Sequence, residues 1–283
     1  MIKDLRLGSF LKSTKVGYMN ILSSRQNTLV KHIRALDGKR YRDLKGQFFI
    51  EGLKMVQEAF LEKADISSIL ISTKFDMEGF MEDVDADIKN LEIFMLRDDL
   101  FSYIAKTKTP QGIGAVINKA SYSYKNMLKD DGYLIGILDG VQDPGNVGTI
   151  IRTLDCAGAN GLILLDGCAD PYGSKTLRAT MGSIFRLPTC YIDSEEDLFS
   201  HLHDLDTHII IGHLDGENLF NWNEDHERMA FIIGSEGRGV RDKLLKYASS
   251  LVKIPILGGA ESLNASVASG IIIYEIIKNR MKT

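Results

Sequence analysis

The chain has 283 residues, 44% hydrophobic and 25% charged, with a formal net charge of −4. These values fit a globular protein long enough for two domains, and they argue against a disordered or fibrous chain. No apolar run approaches the roughly 18 residues of a membrane span, and the basic N-terminus lacks the apolar segment and cleavage site of a secretory signal.

Cys156, Cys168 and Cys190 are odd in number and lack CxxC spacing. This argues against a disulfide framework, offers no metal pattern and points to the cytoplasm, with the thiols as small buried hydrophobes. Charge is unevenly spread. Residues 1–60 hold twelve Lys and Arg against five acids, a net of +7, which leaves −11 for the rest. Such a basic segment is either a footprint for phosphate or a solvated face.

In chain order, residues 1–20 show little periodicity and read as a flexible extension, with Met19 as an alternative start. From Asn27 the pattern becomes regular. Leu29, Val30, Ile33 and Leu36 fall at helical spacing, with Lys31, Arg34 and Lys39 on other faces and Arg40 and Arg42 just beyond. A strand is expected over Gln47–Ile50, a helix over Gly52–Lys63 and a strand over Ser67–Ile71. The acidic stretch 76–90 reads as a surface helix and loop. A strand over Leu91–Met95, a short helix from Asp98 and a strand over Gly112–Ile117 complete a first α/β domain, residues 21–118. Residues 119–131 are polar, short of core residues, and read as a linker.

A second α/β domain covers 132–283. Strands are expected over Tyr133–Leu138, Gly161–Leu165, Thr189–Ile192, His208–Gly212, Ala230–Ile233 and Leu251–Ile254. A helix is expected over Gly148–Ala157, stopped by Gly158, and a long apolar one from Ser262 or Asn264 to about Arg280, both being good N-caps. Alternation of strands and helices implies a mostly parallel sheet covered on both faces. Ligands in such sheets sit outside the carboxyl ends of the strands, which places loops 139–147, 234–239 and 256–264 at one rim.

Each loop has chemistry of its own. In the first, Asn146 precedes the helix and Arg152 lies on its polar face, where a helix N-terminus binds anions. It lacks the GxxxxGK[ST] of a Walker loop. The second, Gly234-Ser-Glu-Gly-Arg-Gly239, has GxxGxG spacing where a dinucleotide fingerprint needs GxGxxG. Its Glu236 can cap a helix, pair with an Arg, or act as an acid or base. The third combines Gly258 and Gly259 with Ser262 and Asn264 at a helix start.

The segments LDGVQDPGNVGTIIRTLDCAGANGLIL, FIIGSEGRGV and VKIPILGGAESLNASVASGIIIYE resemble, in order and spacing, the three motifs of the SpoU (TrmH) class of RNA ribose 2′-O-methyltransferases in the SPOUT superfamily. DPYGSKTLRATMGSIFRLP is similar to the segment between the first two motifs. RQNTLVKHIRAL, FFIEGLKMVQEA and KTKTPQGIGAVI resemble that class's ribosomal-protein-like RNA-binding domain. The likeness covers about residues 21–280 and departs at Ala265, where Val is usual.

The resemblance implies an α/β fold with a small N-terminal RNA-binding domain and a C-terminal methyltransferase domain tied in a trefoil knot. It implies S-adenosylmethionine as cofactor, held bent against Gly234, Ile254 and Leu263. It implies Asn146, Arg152, Glu236, Ser262 and Asn264 as catalytic and site-shaping residues, with no metal. The RNA-binding candidates are Lys31, Arg34, Lys39, Arg40 and Arg42. The expected partners are RNA, foremost ribosomal RNA of the large subunit with transfer RNA as alternative, and a second copy of the chain, with no membrane.

Family accounts have Arg152 activate the ribose hydroxyl. A guanidinium, with its pKa of about 12.5–13.8, is a poor base at neutral pH, so phosphate binding and electrostatic stabilisation of an alkoxide is the better role. Two other classes compete: a non-catalytic RNA-binding factor, opposed by the intact residue set, and a nucleotide-dependent oxidoreductase, opposed by the glycine spacing.

Overall fold

The protein is described by a computed structural model covering residues 21–77, 79–80 and 91–282. The extension expected over 1–20, and most of the helix and loop expected over 76–90, lie outside these residues. The chain divides after Ala120 into two compact units.

The first unit holds four strands, β1 (Gln47–Glu51), β2 (Ile66–Ser72), β3 (Glu92–Leu96) and β4 (Ile113–Asn118), in the order β1-β4-β2-β3. β4 runs antiparallel to both neighbours, and β2 pairs parallel with β3. β1 alternates buried and half-buried positions, as a strand covered on one face should. Helix Thr28–Ala35 starts at Asn27, whose side chain accepts from the Leu29 N–H. It buries Val30 and Ile33 against Leu70, Leu100, Phe101 and Ile104.

The second unit is a six-stranded, wholly parallel sheet. Its strands are β5 (Tyr133–Asp139), β6 (Gly161–Leu164), β7 (Thr189–Tyr191), β8 (His208–Asn218), β9 (Arg228–Gly234) and β10 (Ser250–Lys253), in the order β10-β8-β9-β5-β6-β7. All seven residues of β5 are buried, as expected of a central strand with both faces covered. From β5 the chain builds outward through β6 and β7, then crosses to the other side for β8, β9 and β10. The order therefore reverses between β5 and β9, and a ligand crevice is expected outside their carboxyl ends.

Three expectations need correction. The polar stretch 119–131 contributes to the core: it forms a short helix, Tyr124–Met127, and buries Met127 and Leu128. β8 runs past Gly212 to Asn218, but Leu251 pairs with Ile211 and Val252 with Glu217, so residues 212–216 leave the ladder. Gly216 lets the chain rejoin, because a Cβ there would lie 2.5 Å from the Val252 backbone. Cys156 is exposed, so only Cys168 and Cys190 pack inward. Among the described residues no helix is long and apolar enough to cross a membrane.

Candidate active site

The helix after β5 spans Pro144–Cys156. Asp143 is its N-cap, with Oδ1 accepting from the Asn146 N–H at 2.9 Å. Pro144 occupies the first turn, where its fixed φ suits the helix and its missing N–H costs nothing. The helix thus starts four residues before the position expected from Gly148, and Asn146 sits on its first turn rather than in the loop before it.

From that turn the buried Asn146 side chain faces two other segments. Its Nδ2 donates to Glu236 Oε1, 90 residues away in sequence. Its Oδ1 accepts from Asn264 Nδ2 at 2.9 Å, 118 residues away. Asn264 is in turn the N-cap of helix Ala265–Arg280, its Oδ1 accepting from the Ser266 N–H at 3.0 Å and from Ser266 Oγ at 2.6 Å. Each amide therefore has a fixed orientation. Two helices begin at this network, and their N-terminal partial charges favour an anion there.

Beside the network lies a cavity of about 330 Å³. Gly234–Gly239 forms one wall, Ile254, Ile256, Ser262 and Leu263 another, and Ala265, Ala268 and Ile272 an apolar floor. Gly234 is obligatory, since a Cβ would overlap the backbone of Gly239 and Val240, onto which the loop folds back. A volume near 300 Å³ with apolar walls and a few polar groups suits a compact small-molecule ligand.

The structure brings most of the expected site residues together. Gly234, Ile254, Leu263, Ser262 and Glu236 line the cavity, while Asn146 and Asn264 join through the amide network. Arg152 stands apart. It is exposed and, among the described residues, pairs with no acidic side chain. Six residues of helix separate it from Asn146, about 9 Å along the axis. The cavity also has residues without a signal in the sequence. His213 and Leu214 reach its wall because 212–216 leave the β8 ladder, and Arg238 and Lys253 add positive charge.

In the first unit Lys31, Arg34, Lys39 and Arg40 are exposed. The Arg25 and Arg34 guanidinium groups lie 4.4 and 4.8 Å from the Tyr103 ring centroid. Arg42 is a correction. It is only 5% exposed, and its Nη1 donates to Leu36 O at 2.7 Å and Asp37 O at 2.6 Å. The carbonyls that end helix Thr28–Ala35 need donors, and Arg42 supplies them, so it caps a helix rather than presenting charge to phosphate.

One trio of metal-capable side chains, His208, Glu224 and His226, lies at the amino end of β8, away from the cavity. The two imidazoles stack 4.0 Å apart with planes 12° from parallel, and His208 Nε2 is engaged by Ser250 Oγ at 3.0 Å. Burial, then the neighbouring His226, hold the His208 pKa below its ordinary value. A ring nitrogen binds metal in its own ring plane, so this stacked arrangement does not form a chelate.

Residues 133–274 match the family model of the SpoU rRNA methylases. The chain belongs to the SpoU family. Residues 27–115 of this SpoU protein match a second model, the MRM3-like substrate-binding domain. It is 32% identical over 261 residues to the 23S rRNA (guanosine(2553)-2′-O)-methyltransferase RlmP of Bacillus subtilis, covering 91% of this chain and 99% of that one. It is 25% identical over 263 residues to the 23S rRNA (uridine(2479)-2′-O)-methyltransferase of Streptomyces viridochromogenes, covering 90% and 91%. Among solved structures, the AdoMet-bound rRNA methyltransferase of Sinorhizobium meliloti superposes with a TM-score of 0.82 at 30% identity, covering 93% and 98%. Of the architecture expected from the resemblance, the α/β fold with a substrate-binding domain followed in sequence by a SpoU methyltransferase domain is therefore that of this chain.

Proposed function

We propose that this SpoU protein transfers the methyl group of S-adenosylmethionine to a ribose 2′-hydroxyl of large-subunit ribosomal RNA. The observation that carries this reading is the meeting of Asn146, Glu236 and Asn264, drawn from three distant segments, beside a cavity walled by loop backbone. The ribosomal RNA substrates of its relatives favour that RNA class over transfer RNA, and an AdoMet-bound relative supports the cofactor.

Gly234, Ile254 and Leu263 are assigned to the cofactor, which supplies an electrophilic methyl on a sulfonium that departs as a neutral thioether. The chain's own task is to make a ribose hydroxyl nucleophilic. In this reading Asn146 orients the ribose, with Glu236 and Asn264 holding its amide in place. Ser262 positions the nucleotide at the cavity edge. Arg152 acts as a cation, binding phosphate and stabilising the developing alkoxide while the hydroxyl proton passes to water. Its exposed guanidinium, with no acidic partner among the described residues, supports that role over that of a base.

Lys31, Arg34, Lys39 and Arg40 are assigned to RNA phosphates. A homodimer and a cytoplasmic location belong to the same reading. Exposed Val267 and Tyr274, on one face of the last helix, support contact with a second copy. The test is S-adenosylmethionine titration by calorimetry, paired with turnover of Arg152→Lys and Arg152→Ala. One cofactor bound per chain, with Arg152→Lys retaining more activity than Arg152→Ala, is expected. No cofactor binding refutes the reading, and equal full activity in both variants removes Arg152 from it.

A further inference from the structure

Asp139 ends β5 with its side chain only 1% exposed. A buried carboxylate is costly unless it is paired and hydrogen-bonded. Arg241, just beyond the glycine loop, provides both kinds of partner. Its backbone N–H donates to Asp139 Oδ2 at 2.8 Å, and its Nε donates to Oδ1 at 2.6 Å. The guanidinium continues to Glu195, with Nη2 donating to Oε1 at 2.6 Å, and Lys243 Nζ meets Glu195 Oε2 at 2.6 Å.

The other end of the loop is tied to the same residue, because Gly234 pairs with Asp139 in the β5–β9 ladder. Asp139 thus holds both ends of segment 234–241, which a bridge between Ser235 and Gly239 closes on itself. That segment carries Glu236, the acceptor for Asn146, and one wall of the cavity.

We propose that Arg241 is a positioning residue: pinned to Asp139 and braced by Glu195, it fixes the shape of the 234–240 loop and so the placement of Glu236 and of the cavity wall. The inference rests on the methyl-transfer reading above. Arg241 is not among the cavity-lining residues and acts through the loop alone. Lysine is a poor substitute, because a point cation lacks the planar fork that reaches two carboxylates at once.

Three variants test this: Arg241→Lys, Arg241→Gln, and Arg241→Gln combined with Asp139→Asn. Arg241→Gln leaves a buried carboxylate without its counter-charge, so both melting temperature and turnover fall. The double variant removes that charge, so its melting temperature recovers, but the tie across the loop is not rebuilt. Turnover in the double variant stays low, by roughly tenfold to a hundredfold, the scale of a misplacement near 1 Å, and cofactor binding stays weakened. Arg241→Lys keeps its stability yet not its turnover.

Activity that recovers together with melting temperature in the double variant overturns the proposal, as does wild-type kcat and cofactor affinity in Arg241→Gln. Amide hydrogen exchange tests the loop without any cofactor. Faster exchange over 235–239 in Arg241→Gln, with β5 and β9 still protected, is expected, and unchanged exchange refutes the claim. If wild type neither binds S-adenosylmethionine nor methylates RNA, the functional reading fails, while the exchange result still decides whether Arg241 holds the loop.

Discussion

Asn264 performs two separable tasks with the two atoms of one amide, so a single isosteric change can divide them. Its Oδ1 caps helix Ala265–Arg280, and its Nδ2 donates to Asn146. Asn264→Asp keeps an oxygen for the cap and adds negative charge at a helix N-terminus, worth about 0.3–1 kcal/mol. It replaces the donor to Asn146 by a second acceptor, losing a bond worth about 1 kcal/mol. These terms nearly cancel, so the melting temperature should stay within about 2 °C of wild type. Asn264→Ala loses the cap as well, about 1 kcal/mol more, and with about 2 kcal/mol lost in all should melt about 4–8 °C below wild type for a unit of this size.

Turnover should follow a different order. In Asn264→Asp, Asn146 faces acceptors on both sides. Turning its amide satisfies Asp at 264 and deprives Glu236, so the network cannot be rebuilt by a flip. Losing one orienting bond of about 1 kcal/mol corresponds to about fivefold in kcat/KM, and the added repulsion places Asn264→Asp below Asn264→Ala in activity despite its higher stability. Calorimetric melting and steady-state methylation of RNA under identical conditions make the comparison. Wild-type kcat/KM in Asn264→Asp, or activity that ranks with stability, refutes the reasoning.

Other consequences follow from the same geometry. Arg42→Met should cost about 1–3 kcal/mol in urea unfolding, because it leaves the carbonyls of Leu36 and Asp37 without their donor, whereas Arg40→Ala should leave stability unchanged and reduce the salt dependence of RNA binding. If Arg42→Met is neutral, the helix-capping role assigned to Arg42 is wrong. Burial pushes the Cys190 thiol up to about 11, so at pH 8 iodoacetamide should modify exposed Cys156 well before Cys190 in the folded protein; equal rates by mass spectrometry contradict this. Burial by itself would raise Glu195, but hydrogen bonds from Lys243 and Arg241, with their charges, together hold it below the usual glutamate value. Its stabilisation is then present above about pH 4.3 and lost as pH falls through the lower folded value. Glu195→Gln should therefore be destabilised at neutral pH and flatter than wild type across the acid limb of a pH–stability curve.

Much of this site is legible in residue types alone. Asn264 reads as a cap because a small polar side chain precedes an apolar helix, and Gly234 reads as a close approach because it ends an apolar strand inside a glycine loop. Asp143-Pro144 carries a helix-start signal, yet Gly145 and Gly148 are weak helix formers and mask it. Other features depend on partners far away in sequence. The excursion of 212–216 arises only when β10 pairs with β8 on either side of it. Arg42 looks like its exposed neighbours until the carbonyl ends it faces are known. The joining of Asn146 to Glu236 and Asn264 requires the reversal of strand order between β5 and β9, which local pattern does not encode.

The central claim is methyl transfer to ribose, and the most direct measurement is transfer of labelled methyl from S-adenosylmethionine to size-fractionated total RNA, followed by alkaline hydrolysis. Wild type should place label in large-subunit ribosomal RNA within a dinucleotide that resists alkali, as a 2′-O-methyl linkage must, and Arg152→Ala should place far less. Label confined to the small-RNA fraction would contradict the ribosomal assignment, and label released in alkali-sensitive mononucleotides, or no label from a protein that binds no cofactor, would contradict ribose methylation itself.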